Sequence, residues 1–81
     1  MTRNYLSGSI KKALIIIECV GKSPNPLKAS QVATITKIDR ATAFRILTYL
    51  VSLGYLFKDT NNNLYSLGHK IFEFGDNSDF L

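Results

Sequence analysis

Between Asp39 and Gly54 lie Arg40, Ala41, Thr42, Phe44, Arg45 and Thr48, residue types suited to holding anions and base edges rather than to making bonds. Arginine presents a planar fork of N–H donors that fits a phosphate or the guanine edge, threonine hydroxyls donate or accept, and a small residue lets a backbone come close. At the α-helical step of ~100° per residue, Ala43, Ile46, Leu47 and Leu50 gather on one arc, and Ala41, Thr42, Arg45, Thr48 and Tyr49 on the opposite one. That second arc carries no acid. Solubility alone draws Glu and Lys together onto a helix face, so a face of arginine, hydroxyls and small residues reads as one that meets DNA.

Each of these residues also has an ordinary reading. Arg45 could pair with an acid one helical turn away, but Ala41 and Tyr49 occupy those positions, which favours nucleic-acid contact. Arg40 falls in the first turn, where the positive helix end disfavours a cation unless an anion approaches. Phe44 borders the apolar arc, so packing and contact with a thymine methyl both remain open. Enzymatic chemistry finds no footing: there is no Ser, His and acid arrangement, no glycine-rich phosphate loop and no cluster of metal ligands, so neither catalysis nor a cofactor is expected. The single cysteine, Cys19, excludes an internal disulfide and a multi-cysteine zinc site, and reads as a half-buried small hydrophobe. His69, at a helix start, reads as a surface residue.

The elements that position this face follow from periodicity and punctuation. Ser9 can cap a first helix running to about Val20, with Ile10, Ala13, Leu14, Ile17 and Val20 inward and Gly21 as its stop. Ile15 falls on the far side of that wheel, either as an ordinary exposed residue or as a dimer contact. Lys22 to Pro26 is a loop by its two prolines. A short second helix covers Ala29 to Thr36, with Val32, Ala33 and Ile35 as its apolar contribution. Lys37 stands where a steep turn favours glycine, Ile38 pegs the turn, and Asp39 can cap the third helix near Thr42, which gives a helix-turn-helix pattern with a helix over 39–53. Beyond Gly54 the period becomes alternating, and Tyr55–Lys58 and Leu64–Leu67 form two strands around Asp59–Asn63, whose asparagines tolerate left-handed angles. Asn61, Asn62 and Asn63 are turn formers first and a wing tip on phosphate second. Gly68 to Gly75 places Ile71, Phe72 and Phe74 at helical spacing.

Eighty-one residues, 46% of them hydrophobic, make one small domain. The net charge of +4 is divided unevenly: residues 1–58 hold nine Lys and Arg against Glu18 and Asp39, giving +7, and residues 59–81 hold Lys70 against Asp59, Glu73, Asp76 and Asp79, giving −3. A polyanionic partner for the first part follows. No apolar run approaches the ~18 residues of a membrane span, and the N-terminus lacks a signal-peptide core, so a cytoplasmic protein without membrane contact is expected.

Taken together, Ser9-Ile10-Lys11-Lys12-Ala13-Leu14, Leu27 with Ser30-Gln31-Val32-Ala33, Thr42-Ala43-Phe44-Arg45-Ile46-Leu47 with Leu50 and Gly54-Tyr55, and Tyr65-Ser66-Leu67-Gly68 with Ile71 and Phe74-Gly75 resemble the N-terminal winged helix-turn-helix domain of IclR-type bacterial transcription regulators. The resemblance spans Ser9 to Gly75. It implies a mainly α fold with a small β-hairpin: three helices, a two-stranded wing and a short linker helix. The expected division is an N-terminal arm over 1–8, the DNA-binding domain over 9–68, and the linker helix and polar tail over 69–81. It further implies that the third helix enters the major groove through Arg40, Ala41, Thr42, Phe44 and Arg45, with Thr48 on the same face. Lys12 and Lys28 would anchor the backbone, and Lys58 and Asn62 would follow it from the wing. Lys37 replaces the family's common turn glycine, Gln31 a common acid, and Ala41 is unlike its usual counterparts, so base preference is this chain's own. The family's larger effector-binding domain is absent from these residues, so a small-molecule effector would act only through that region. The partner implied is a double-stranded, palindromic operator bound by a homodimer that this fragment forms weakly through Tyr5, Leu6 and Ile15. The competing class, a winged-helix protein-interaction module, lacks the need for an acid-free helix face and a +7 segment.

Overall fold

The computed structural model describes the backbone of residues 3–76 and the side chains of residues 8–76. The side chains of Tyr5 and Leu6, expected as dimer contacts, and the polar tail after Asp76 lie outside the described residues. Four helices, α1 (Arg3–Lys22), α2 (Ala29–Thr36), α3 (Arg40–Leu53) and α4 (His69–Asp76), accompany three short strands, β1 (Leu27–Lys28), β2 (Leu56–Asp59) and β3 (Leu64–Leu67). The strands form one antiparallel sheet in the order β1-β3-β2. Leu27 pairs with Tyr65 on one side of β3, and Lys58 with Tyr65 on the other. The expected two-stranded wing is therefore three-stranded, because the residues between Pro26 and α2 extend along β3. The first long wing strand begins one residue later than expected, at Leu56.

The first helix departs most from the expectation. Ser9 does not cap it, since the backbone is helical from Arg3, and it ends one residue past Gly21. Ile16 and Val20 are buried, whereas Ile10 and Leu14 are exposed at 63% and 56%. The off-face Ile15 packs against the core. Five successive apolar residues, Ala13 to Ile17, offer several stripes with the same helical spacing, and packing against α2, α3 and β3 selects one rotated by a little under one ~100° step. Ile35, expected inward on α2, is also exposed, and only Val32 and Ala33 of that helix are buried.

The turn between α2 and α3 is built from side chains as much as backbone. The Thr36 hydroxyl donates to the Val32 carbonyl at 2.7 Å and accepts from the Ile38 N–H at 3.4 Å. Lys37 adopts φ 62°, ψ 28°, the left-handed region that glycine visits without a Cβ penalty. Ile38 drops into the core, and Asp39 caps α3 by accepting from the Thr42 N–H at 3.0 Å. Helix α3 then buries Ala43, Leu47 and Leu50 as its periodicity requires, and closes on Gly54 at φ 88°, whose N–H donates to the carbonyls of Leu50 and Val51. Gly68 has a different reason to be glycine: a Cβ there would meet the Gly54 carbonyl oxygen and the Leu56 backbone. Its N–H donates to Tyr55 O at 2.9 Å, which fixes where α4 leaves the sheet.

The rotated face of α1 gives a stability prediction. Ile16→Ala should destabilise the fold by ~2–5 kcal/mol through a core cavity, and Leu14→Ala by no more than ~0.5 kcal/mol as a surface change. Urea denaturation of both variants checks it; equal losses would restore the stripe through Leu14.

Candidate nucleic-acid interface

Outward from the core, α3 presents Ala41, Arg45, Thr48 and Ser52 along its ridge, all exposed. Neither Arg40 nor Arg45 makes an ion pair with any described residue. On one flank, Lys12 of α1 shares a groove with Thr42, Arg45, Thr48 and Tyr49. Ile10, Ala13 and Ile46 line the same groove, which combines an apolar lining with the cations Lys12 and Arg45.

The other flank is a cleft where three elements meet: Lys28, Ala29 and Ser30 at the start of α2, Arg40 and Phe44 on α3, and Lys58, Asn62, Asn63 and Tyr65 from the wing. Lys28, Arg40 and Lys58 line it and no carboxylate does. Lys58 is paired with Tyr65 across the strands, and its ammonium lies 5.5 Å from the Tyr65 ring centre and 5.7 Å from that of Phe44. Both distances are within cation–π range. Phe44 is thus neither core nor free: half exposed, it meets the wing through Lys58.

Lys28 occupies the N-cap of α2, where its side chain supplies no capping bond, since an ammonium has no acceptor. Gln31 closes half of the usual reciprocal pair by accepting from the Lys28 N–H at 2.8 Å. The glutamine in place of an acid therefore keeps the return bond without adding negative charge beside the cleft. At the wing tip, Asp59 accepts from the Asn61 N–H at 3.0 Å and from the Asn62 side-chain amide at 3.2 Å, and Asn63 takes φ 56°. These bonds express the turn-forming reading of the asparagines and hold Asn62 at the cleft edge.

The residues singled out in the sequence thus fall into two concavities that meet along α3 and share Phe44. Lys28, Arg40, Phe44, Lys58 and Asn62 converge in the three-element cleft, Lys12, Thr42, Arg45 and Thr48 gather in the α1 groove, and Ala41 joins Ala29, Ser30 and Arg40 beside the cleft. Sequence reasoning pointed to the start of α2 through Lys28 but did not place Tyr65 beside it. Tyr65 is buried between half-buried neighbours, as a core strand residue is, and nothing local signals that its ring also walls a cleft.

Asp39 sits on the boundary of this charge distribution. The side chain and the backbone N–H of Thr42 hydrogen-bond its carboxylate and hold its pKa below the ordinary aspartate range, with Lys12 and Arg45 adding a weaker attraction. Cys19 is half-buried as expected, and burial pushes its thiol pKa up. Among the described residues no group of three or more His, Cys, Asp or Glu could hold a metal ion, and no helix is long and apolar enough to cross a membrane.

Residues 9–60 match the family model described as the IclR helix-turn-helix domain. Over 73 residues, 90% of the chain, the sequence is 37% identical to the p-hydroxybenzoate hydroxylase transcriptional activator of Acinetobacter baylyi, of which it covers 26%. The fold matches an IclR family transcriptional regulator from Brucella abortus with a TM-score of 0.75 and 30% identity, covering 83% of this chain and 25% of that one. Pseudomonas aeruginosa HmgR superposes with a TM-score of 0.78 over 88% of this chain and 31% of its own, at 23% identity, a likeness of fold. The chain therefore spans about a quarter of the length of the relatives it matches.

The Asp39 cap makes a pH-dependent contribution whose sign is fixed. A carboxylate with a lowered folded-state pKa stabilises above its unfolded pKa and loses that contribution as pH falls through the folded value. Asp39→Asn, which keeps a capping oxygen without the titration, should flatten this part of the acid-side decline in Tm below about pH 4. Thermal melts from pH 2 to 7 read it; parallel profiles for the two proteins would show that the carboxylate is not coupled to folding.

Proposed function

Because the chain belongs to the IclR helix-turn-helix family of transcriptional regulators, we propose that its α3 reads the major groove of an operator through Arg45, with Ala41, Thr42 and Thr48 beside it. Arg40, Lys28 and Lys58 hold the phosphate backbone on one flank of that helix, and Lys12 holds it on the other. The observation that carries this reading is the pair of basic concavities on either side of an exposed, acid-free helix ridge. A helix inserted in the major groove has sugar-phosphate backbone along both of its flanks, and cations there position it while the ridge reads base edges. Phe44 supports the arrangement from its contact with Lys58, and Asn62 stands at the wing tip next to the backbone.

Two copies of the domain on a palindromic operator, in the cytoplasm, are the arrangement proposed. Ile15 is unsuited to the dimer contact, being packed on the core. Ile10 and Leu14, one turn apart on α1 and each more than half exposed, are the apolar pair a second copy would meet. Linking two such domains makes the second docking intramolecular, with gains in avidity of ~10²-fold or more, so a single domain should bind more weakly than a linked pair.

Two measurements separate reading from anchoring. Arg45→Ala should cost ~1–3 kcal/mol on a selected operator and relax preference at one base position, while Lys12→Ala should weaken operator and random duplex alike and lower the salt slope by ~0.9. Unchanged discrimination in the arginine variant would remove the base contact. For the dimer, sedimentation with palindromic DNA should show two copies per operator bound cooperatively, and Leu14→Lys should abolish the cooperativity; full cooperativity in that variant would place the interface elsewhere.

A further inference from the structure

Tyr65 is 1% exposed, and its hydroxyl is the one fully buried side-chain polar atom without a hydrogen-bond partner among the described residues. A buried donor left unpaired is destabilising, and native structures rarely keep one without use for it. This one belongs to a ring that walls the three-element cleft. The same cleft receives the start of α2, whose first-turn N–H groups at Ala29 and Ser30 have no side-chain cap, because Lys28 cannot accept. Unsatisfied amides at the positive end of a helix, three cations and an unpaired hydroxyl all suit one kind of occupant, a phosphate oxygen.

The hydroxyl is covered, so an anion must displace a side chain to reach it. Lys58 is the lining side chain that rests on the Tyr65 ring, held there and on Phe44 by cation–π contact and by no ion pair among the described residues. We propose that the Tyr65 hydroxyl is a hidden ligand for one backbone phosphate of bound DNA, uncovered when the Lys58 ammonium leaves its two rings for that phosphate. Lys58 thus has two positions. Without DNA it ties the wing to α3, and with DNA it pairs with the phosphate while the Tyr65 O–H donates to another oxygen of the same group. The neutral hydroxyl adds affinity without adding to counterion release, since only charges that replace condensed cations enter the salt slope.

The inference rests on the DNA-binding reading, and the test separates the two. Fluorescence anisotropy of a labelled random-sequence duplex is titrated with the 81-residue chain at several salt concentrations, for wild type, Tyr65→Phe and Lys58→Ala. Tyr65→Phe should bind about tenfold more weakly at every salt concentration with an unchanged slope, as loss of one hydrogen bond to a charged group implies. Its Tm should equal or exceed that of wild type, because an unpaired buried hydroxyl is gone. Lys58→Ala should instead lower the slope by ~0.9. Wild-type affinity in Tyr65→Phe overturns the proposal, and so does a lowered Tm, which would mean that the hydroxyl is satisfied within the fold. If wild type fails to bind duplex DNA, the DNA-binding reading falls by itself. Inorganic phosphate then decides the site: it should shift the amide resonances of Ala29 and Ser30 in wild type and much less in Tyr65→Phe, and equal or absent shifts overturn it.

Discussion

The direction of α3 hangs on three consecutive residues. Thr36 folds its hydroxyl back on the last turn of α2, Lys37 turns the chain through a left-handed conformation, and Ile38 anchors the far side of the turn in the core. Asp39 then starts the next helix within a single residue. A lysine in the left-handed region carries a steric cost that glycine would avoid, and the two Thr36 bonds and the buried Ile38 offset it. Every feature of the candidate interface follows from this turn, because it fixes which side of α3 faces α1 and the sheet and which side faces out.

The sheet supplies the second constraint. With β3 in the centre, Tyr65 is flanked by Leu27 and by Lys58, so one strand joins the entrance of α2 to the wing. That arrangement brings cations from three separate stretches of chain, Lys28, Arg40 and Lys58, to one cleft at the uncapped end of α2. Like charges brought together without an acid among them oppose folding, and an arriving polyanion relieves that opposition. The aromatic rings beneath Lys58 ease the same conflict in the unbound protein, since a ring face attracts a cation without neutralising it.

The helix-turn-helix and its cap, the burial of Ala43, Leu47 and Leu50, the closing glycine at position 54 and the polar arc of α3 were all legible in the sequence. Each depends on contacts within one or two helical turns, where residue spacing maps directly onto geometry. The left-handed Lys37 was legible for the same reason, as a residue standing where the chain must reverse. The family was legible too, since the order of these local signals over Ser9 to Gly75 is more specific than any one of them.

Tertiary structure decided what spacing left degenerate. Ala13 to Ile17 allows several inward stripes, and the one centred on Ile16 is chosen by the surfaces of α2, α3 and β3, which no local period encodes. Strand β1 is two residues long and exists because Tyr65 and Leu64 lie beside it, so it has no pattern of its own. The division of the basic residues into two concavities, the seating of Lys58 on Phe44 and Tyr65, and the unpaired Tyr65 hydroxyl all arise from elements far apart in the chain. The sequence by itself determined which residues could meet an anion; packing of distant segments against one core determined which of them meet it together.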